Sequence, residues 1–169
     1  QPVALNVLAA VFAALSLGLL ARSISLLPYD RTREARQRER SELSLLSIPL
    51  AWVGPVFGVL LCGLQLTFWE NATAATGEML DLLLFAYVVR ALLEYRLSEQ
   101  ESWLWRLAFV YGLAVTNNHA MIAFFPCFLI ALLWIRGFGC FNPGFIGRMV
   151  GFGAARLLLY LLPPLVATF

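Results

Sequence analysis

The chain contains no lysine, one histidine and three cysteines, and only 13% of its residues are charged. Each shortage closes a route. A soluble domain carries roughly 25% charged residues and about 45–50% apolar ones. Here 61% of the 169 residues are hydrophobic and the mean hydropathy is +0.80. That excess of apolar faces predicts a polytopic membrane protein. Cys62, Cys127 and Cys140 match no metal or disulfide spacing, so we read them as small apolar fillers. The sequence holds no nucleophile elbow, no glycine-rich phosphate loop and no Cys-x-x-Cys pair. It shows no internal repeat of the kind many transporters are built from.

What the chain does have is apolar runs. Six can be drawn, at about 3–21, 48–67, 79–95, 103–116, 120–135 and 149–168. Inside a bilayer the backbone must satisfy its own hydrogen bonds, so all six are expected as helices of an all-α fold. Pro49, Pro55, Pro126, Pro163 and Pro164 predict kinks or helix ends. The chain opens on Gln1, and the first run has neither a basic stretch before it nor a small-residue cleavage site after it. This predicts a piece of a longer protein rather than a signal peptide.

The arginines set an orientation. Arg22 closes the first run, and Arg31, Arg33, Arg36, Arg38 and Arg40 follow it. Arg90, Arg96 and Arg106 flank the connection between the third and fourth runs. Arg136, Arg148 and Arg156 flank the connection between the fifth and sixth. Threading six spans puts all twelve bases on or near one face, which the positive-inside rule makes cytoplasmic. The connector 28–47 mixes its five arginines with Asp30, Glu34, Glu39 and Glu42. The acids nearly offset the bases, so we read a solvated cytoplasmic connector rather than an anionic-lipid or nucleic-acid patch, and no nucleic-acid partner.

The other face is acidic and rich in amides. Its first connection reads "TFWENATAATGEMLD", with Phe68 and Trp69 suited to an interfacial belt. Asn71-Ala72-Thr73 matches a glycosylation sequon, a short pattern common by chance. Glu78 and Asp81 share a helix face near a membrane boundary. An acid there is either functional or a capping charge at a helix N-terminus. The second connection is the tight stretch Thr116-Asn117-Asn118-His119. From Trp103 to Val115 the helix would be about 20 Å long, against a hydrocarbon core of about 30 Å. The turn is therefore expected below the outer headgroups, as the floor of an outward-facing pocket. For His119 alone, a capping or hydrogen-bonding role is the simpler expectation. A divalent cation there would need His119 together with Glu78 and Asp81.

These features, in order, resemble a family. An "LNVLAAVFAAL" span is followed by "FWENATAATGEMLDLLLF", "WLWRLAFVYGLAVTNNHAMIAFFP" and "LLLYLLPP". The sequence resembles the transmembrane protein 260-type protein O-mannosyltransferase family and its bacterial relatives. The carrying residues are Phe68-Trp69, Glu78, and Gly112-Leu113 with Asn117 and His119. Leu80 and Leu83 stand where the family has an aromatic residue and an asparagine, and the gap from Trp69 to Glu78 is about two residues longer than the family's. The resemblance implies a multi-pass fold like that of C-class glycosyltransferases. It implies transfer of a sugar from a polyprenyl-phosphate donor to a protein or glycan acceptor on the outer face, in a bacterial inner membrane or the endoplasmic reticulum. The main catalytic acid would precede Gln1, so these residues alone are not expected to catalyse. Glu78 would assist the base or orient the acceptor. Trp69, Asp81, Asn117, Asn118 and His119 would bind substrate.

Two other readings remain. One is a transporter or channel segment with Asp81 and His119 in an ion path. The other is a membrane scaffold without chemistry, which would have no need of acids and a histidine on one face.

Overall fold

The computed structural model describes residues 2–27, 52–74 and 76–137, together with positions 147 and 151. These residues are helical with no strand among them: α1 (Pro2–Leu26), α2 (Val53–Gly63), α3 (Leu66–Thr73), α4 (Glu78–Ser98), α5 (Glu101–Asn117), a 3-10 helix (His119–Phe124) and α6 (Phe125–Arg136). The connector 28–47, the sixth run apart from Gly151, and Cys140 lie outside the described residues. The chain forms two compact units, Gln1–Leu93 and Glu94–Phe169.

In the first unit, α1 opens on Pro2, whose missing amide costs a helix start nothing. Its 25 residues make about 37 Å, more than the ~30 Å hydrocarbon core. The helix thus runs past the expected end at residue 21, through Arg22 to Leu26. Ala9, Ala13, Ser16, Ser23 and Leu26 are buried. At helical spacing they form one stripe of mostly small side chains. Ser16 and Ser23 donate their hydroxyls to the carbonyls of Phe12 and Leu19, each at 2.8 Å, so the stripe leaves no hydroxyl unmet.

Small residues let a second backbone approach, and α2 uses this. Gly54 and Gly58 face Ile24, and Gly63 faces Leu17. A Cβ on Gly58 would overlap Cδ1 of Ile24. Residue 24 against 58 and residue 17 against 63 run α1 and α2 antiparallel.

The second expected span, 48–67, needs correction. The helix stops after Gly63, Gln65 takes an extended backbone (φ −68°, ψ 134°), and α3 begins. The Gln65 carbonyl restarts it, accepting the amides of Phe68 and Trp69 at 3.1 and 3.2 Å. α2 and α3 meet at a bend of 69°. Residues 68–73, expected as loop, are helix. No proline marks the break, which is why the run reads as continuous.

In the second unit, the end of α4 turns into α5 through Glu99 and Gln100 alone. Glu99 holds a left-handed backbone (φ 54°), a conformation unusual without glycine. Its amide donates to the Tyr95 carbonyl at 2.8 Å. At this end Arg136 pairs with Glu101 at 3.0 Å, Arg96 lies over the Trp134 ring at 5.8 Å, and Arg106 over Trp103 at 4.7 Å.

Among the described residues, Val3–Leu26 and His119–Arg136 are long and apolar enough to cross a membrane, and a third span counts if the bent α2–α3 pair is one crossing. α4 has the length, with 21 residues, but carries Glu78, Asp81, Arg90, Glu94 and Arg96. α5 has 17 residues, about 26 Å.

Candidate functional site

Gly77 starts α4: its carbonyl accepts the amides of Leu80 and Asp81, both at 3.1 Å. Glu78 is then the first helical residue, and both acids sit in the first turn. There they complement the positive end of the helix dipole. Packing fixes which way they face. Met79 is buried with Ala13 and Ala72, and Phe12, Phe68 and Leu82 pack around them. Successive helical residues are about 100° apart, so driving Met79 inward turns Glu78 aside. Glu78 is exposed and Asp81 half-buried.

The same rule arranges α3. Phe68 joins the apolar cluster while its neighbour Trp69 stands 56% exposed. The polar side chains of the sequon bond to their own helix. Asn71 donates its amide to the Thr67 carbonyl at 3.1 Å, and Thr73 donates its hydroxyl to the Trp69 carbonyl at 2.9 Å. Ala72 between them is buried.

In the second unit, α5 ends at Asn117 and the chain reverses at Asn118. The Asn118 backbone is extended (φ −139°, ψ 113°). Its amide reaches the Ala114 carbonyl at 2.9 Å, its side-chain Oδ1 accepts the Ala120 amide at 2.9 Å, and its carbonyl accepts the Met121 amide at 3.0 Å. One asparagine thus closes α5 and caps the 3-10 helix that follows. Thr116 donates to the Leu113 carbonyl at 2.8 Å. Asn117 and His119 are exposed.

Of the capping or hydrogen-bonding role expected of His119, the capping belongs to Asn118. Asn118 holds the extended backbone of a cap position, whereas His119 already lies within the helix. His119 is instead the first residue of the 3-10 helix, with its ring outward.

Two features were missed from sequence. One is the Met79 cluster, which joins residues distant in the chain and leaves no local signature. The other is Tyr111, whose hydroxyl donates to the Met121 carbonyl at 2.8 Å. A phenol within an apolar helix needs a hydrogen-bond partner, and that was a usable signal.

The structure therefore sets Trp69, Glu78 and Asp81 in the first unit and Asn117, Asn118 and His119 in the second. Within either unit, the described His, Cys, Asp and Glu side chains form no group of three that could hold a metal ion.

No curated protein and no solved structure matches the chain. A family model does match, the Protein O-mannosyl-transferase TMEM260 N-terminal domain, over residues 2–137, in agreement with the resemblance carried by Phe68-Trp69, Glu78, Asn117 and His119, and the chain belongs to that glycosyltransferase family.

Proposed function

We propose that this chain is part of a membrane glycosyltransferase that moves a sugar from a polyprenyl-phosphate carrier to a hydroxyl of a protein or glycan on the outer face. The observation that carries the reading is the family match over most of the chain. A carboxylate takes the acceptor's proton, the acceptor oxygen attacks the sugar's anomeric carbon, and the polyprenyl phosphate departs with the bonding electrons. Glu78 assists that base or orients the acceptor, and its exposed place at the head of α4 suits contact with substrate. The principal acid belongs to the family's first outer loop, which would precede Gln1.

Trp69, Asp81, Asn117, Asn118 and His119 bind substrate in this reading. The six-span topology, with arginines cytoplasmic, belongs to the same proposal. The second unit supports it: Arg96, Arg106 and Arg136 gather with Glu101, Trp103 and Trp134 at one end of α5, and the Asn117–His119 turn is at the other. α5 measures about 26 Å against a core of about 30 Å, so the turn stays slightly below the outer headgroups. With those arginines at the far end, the clamp for the departing phosphate comes from residues outside this sequence, from a metal ion, or from protonated His119.

The test is Glu78→Gln in the full-length protein, assayed for mannose transfer from polyprenyl-phosphate mannose. We expect a loss of about 100-fold or more with normal expression, the size of a lost acid–base group. Unchanged transfer removes Glu78 from the site.

A further inference from the structure

The junction between α5 and α6 is wound in a way that composition does not foretell. His119–Phe124 forms six residues of 3-10 helix, and 3-10 runs longer than about three or four residues are uncommon. Pro126 explains part of this. In an α-helix the Ile122 carbonyl would take the amide of residue 126, and proline has none. The amide of Phe125 donates to Ile122 instead, in the tighter i to i+3 pattern. Phe125 would have been the α-helical partner of the Met121 carbonyl.

Tyr111 attends to that carbonyl. Its hydroxyl reaches Met121 from ten residues upstream, at 2.8 Å. Its ring meets Phe128 edge-on at 5.5 Å and Phe125 at 6.4 Å. The first turns of α6 thus aim the phenol that pins the 3-10 segment. Met121 itself is buried, so the segment is anchored from inside while His119 at its head faces outward.

The winding decides where His119 stands. Six residues make two turns as 3-10 helix and about 1.7 turns as α-helix, and span about 12 Å rather than about 9 Å. Rewinding to α would carry His119 about a third of a turn around the axis and about 3 Å along it. Displacements of that size separate a hydrogen bond from none.

We propose that Tyr111 is a positioning residue: its hydroxyl holds residues 119–124 in their 3-10 form and so sets the place of His119 in the substrate site. The proposal rests on the reading of His119 as a substrate-binding residue. Tyr111 touches no substrate itself.

The test uses the full-length protein in lipid nanodiscs with polyprenyl-phosphate mannose as donor. Wild type, Tyr111→Phe, His119→Ala and the double variant are compared by kcat/KM, and hydrogen exchange is followed over residues 119–124. Tyr111→Phe should lower kcat/KM about tenfold, in line with one lost hydrogen bond. It should raise exchange in 119–124 by a similar factor and leave the start of α5 unchanged. In the His119→Ala background it should change transfer no further. Equal losses in both backgrounds would mean a merely structural tyrosine and overturn the proposal. So would wild-type exchange in Tyr111→Phe. Wild-type transfer by His119→Ala would remove His119 from the site and the positioning role with it. If the wild-type protein transfers no sugar, the functional reading falls, and hydrogen exchange alone decides whether Tyr111 holds the segment. Pro126→Ala gives the missing amide back and should lower kcat/KM at least as far as Tyr111→Phe. Full retention would overturn the claim that the winding matters.

Discussion

The two sets of candidate residues, one in each unit, are held by different forces. At the head of α4, Glu78 is oriented by side-chain packing: Met79 is 3% exposed among Ala13, Ala72, Phe12, Phe68 and Leu82. At the end of α5, the Asn117–His119 turn is oriented by hydrogen bonds from Asn118 and Tyr111. In lipid, apolar burial between helices brings little hydrophobic gain, so the first set depends on complementary shape. The second depends on a few directional contacts at a reversal where the helix itself leaves amides unmet. Shape spreads its energy over many atoms, and directional contacts concentrate it in single oxygens.

This contrast can be broken by substitution. Met79→Ala empties the cluster, and we expect a loss of about 2–3 kcal/mol from the cavity left behind. Denaturation of the full-length protein in detergent measures it. A loss below about 0.5 kcal/mol, no more than an ordinary surface change, would show that the cluster does not hold α4. Asn118→Ala removes the cap, for about 1 kcal/mol, the usual worth of such a side chain. Its effect should stay local, as faster exchange at Ala120, and an effect equal to that of Met79→Ala would erase the distinction. Glu99→Gly should change stability least and in the opposite direction. It relieves the left-handed backbone between α4 and α5 and gains at most about 1 kcal/mol. A lowered melting temperature would mean that the Glu99 side chain makes a contact worth more than the strain.

Much of the helical organisation was legible in the apolar runs. α4 and α5 match theirs to within three residues and α1 runs five past its expected end, because backbone in an apolar medium has little choice but helix. Family membership was legible too, from Phe68-Trp69, Glu78, Asn117 and His119 in order. The break at Gln65 was not, since neither proline nor a polar cluster announces it. Only the packing of Phe68 and Ala72 against α1 and α4 shows why α3 exists. That the cap is Asn118 rather than His119 was hidden for a related reason. Asn118 and His119 are equally polar in a sequence, and the extended backbone at Asn118 decides which one caps.

The sequence by itself determined the membrane character, the helical class, the family, and a short set of polar residues worth testing. These follow from composition and local pattern, which a one-dimensional reading captures. Tertiary structure alone decided that Ile24 lies over Gly58, that Met79 turns Glu78 outward, and that Tyr111 reaches Met121. Each of these depends on which distant or oppositely directed surfaces meet, and no residue carries that information in its neighbours.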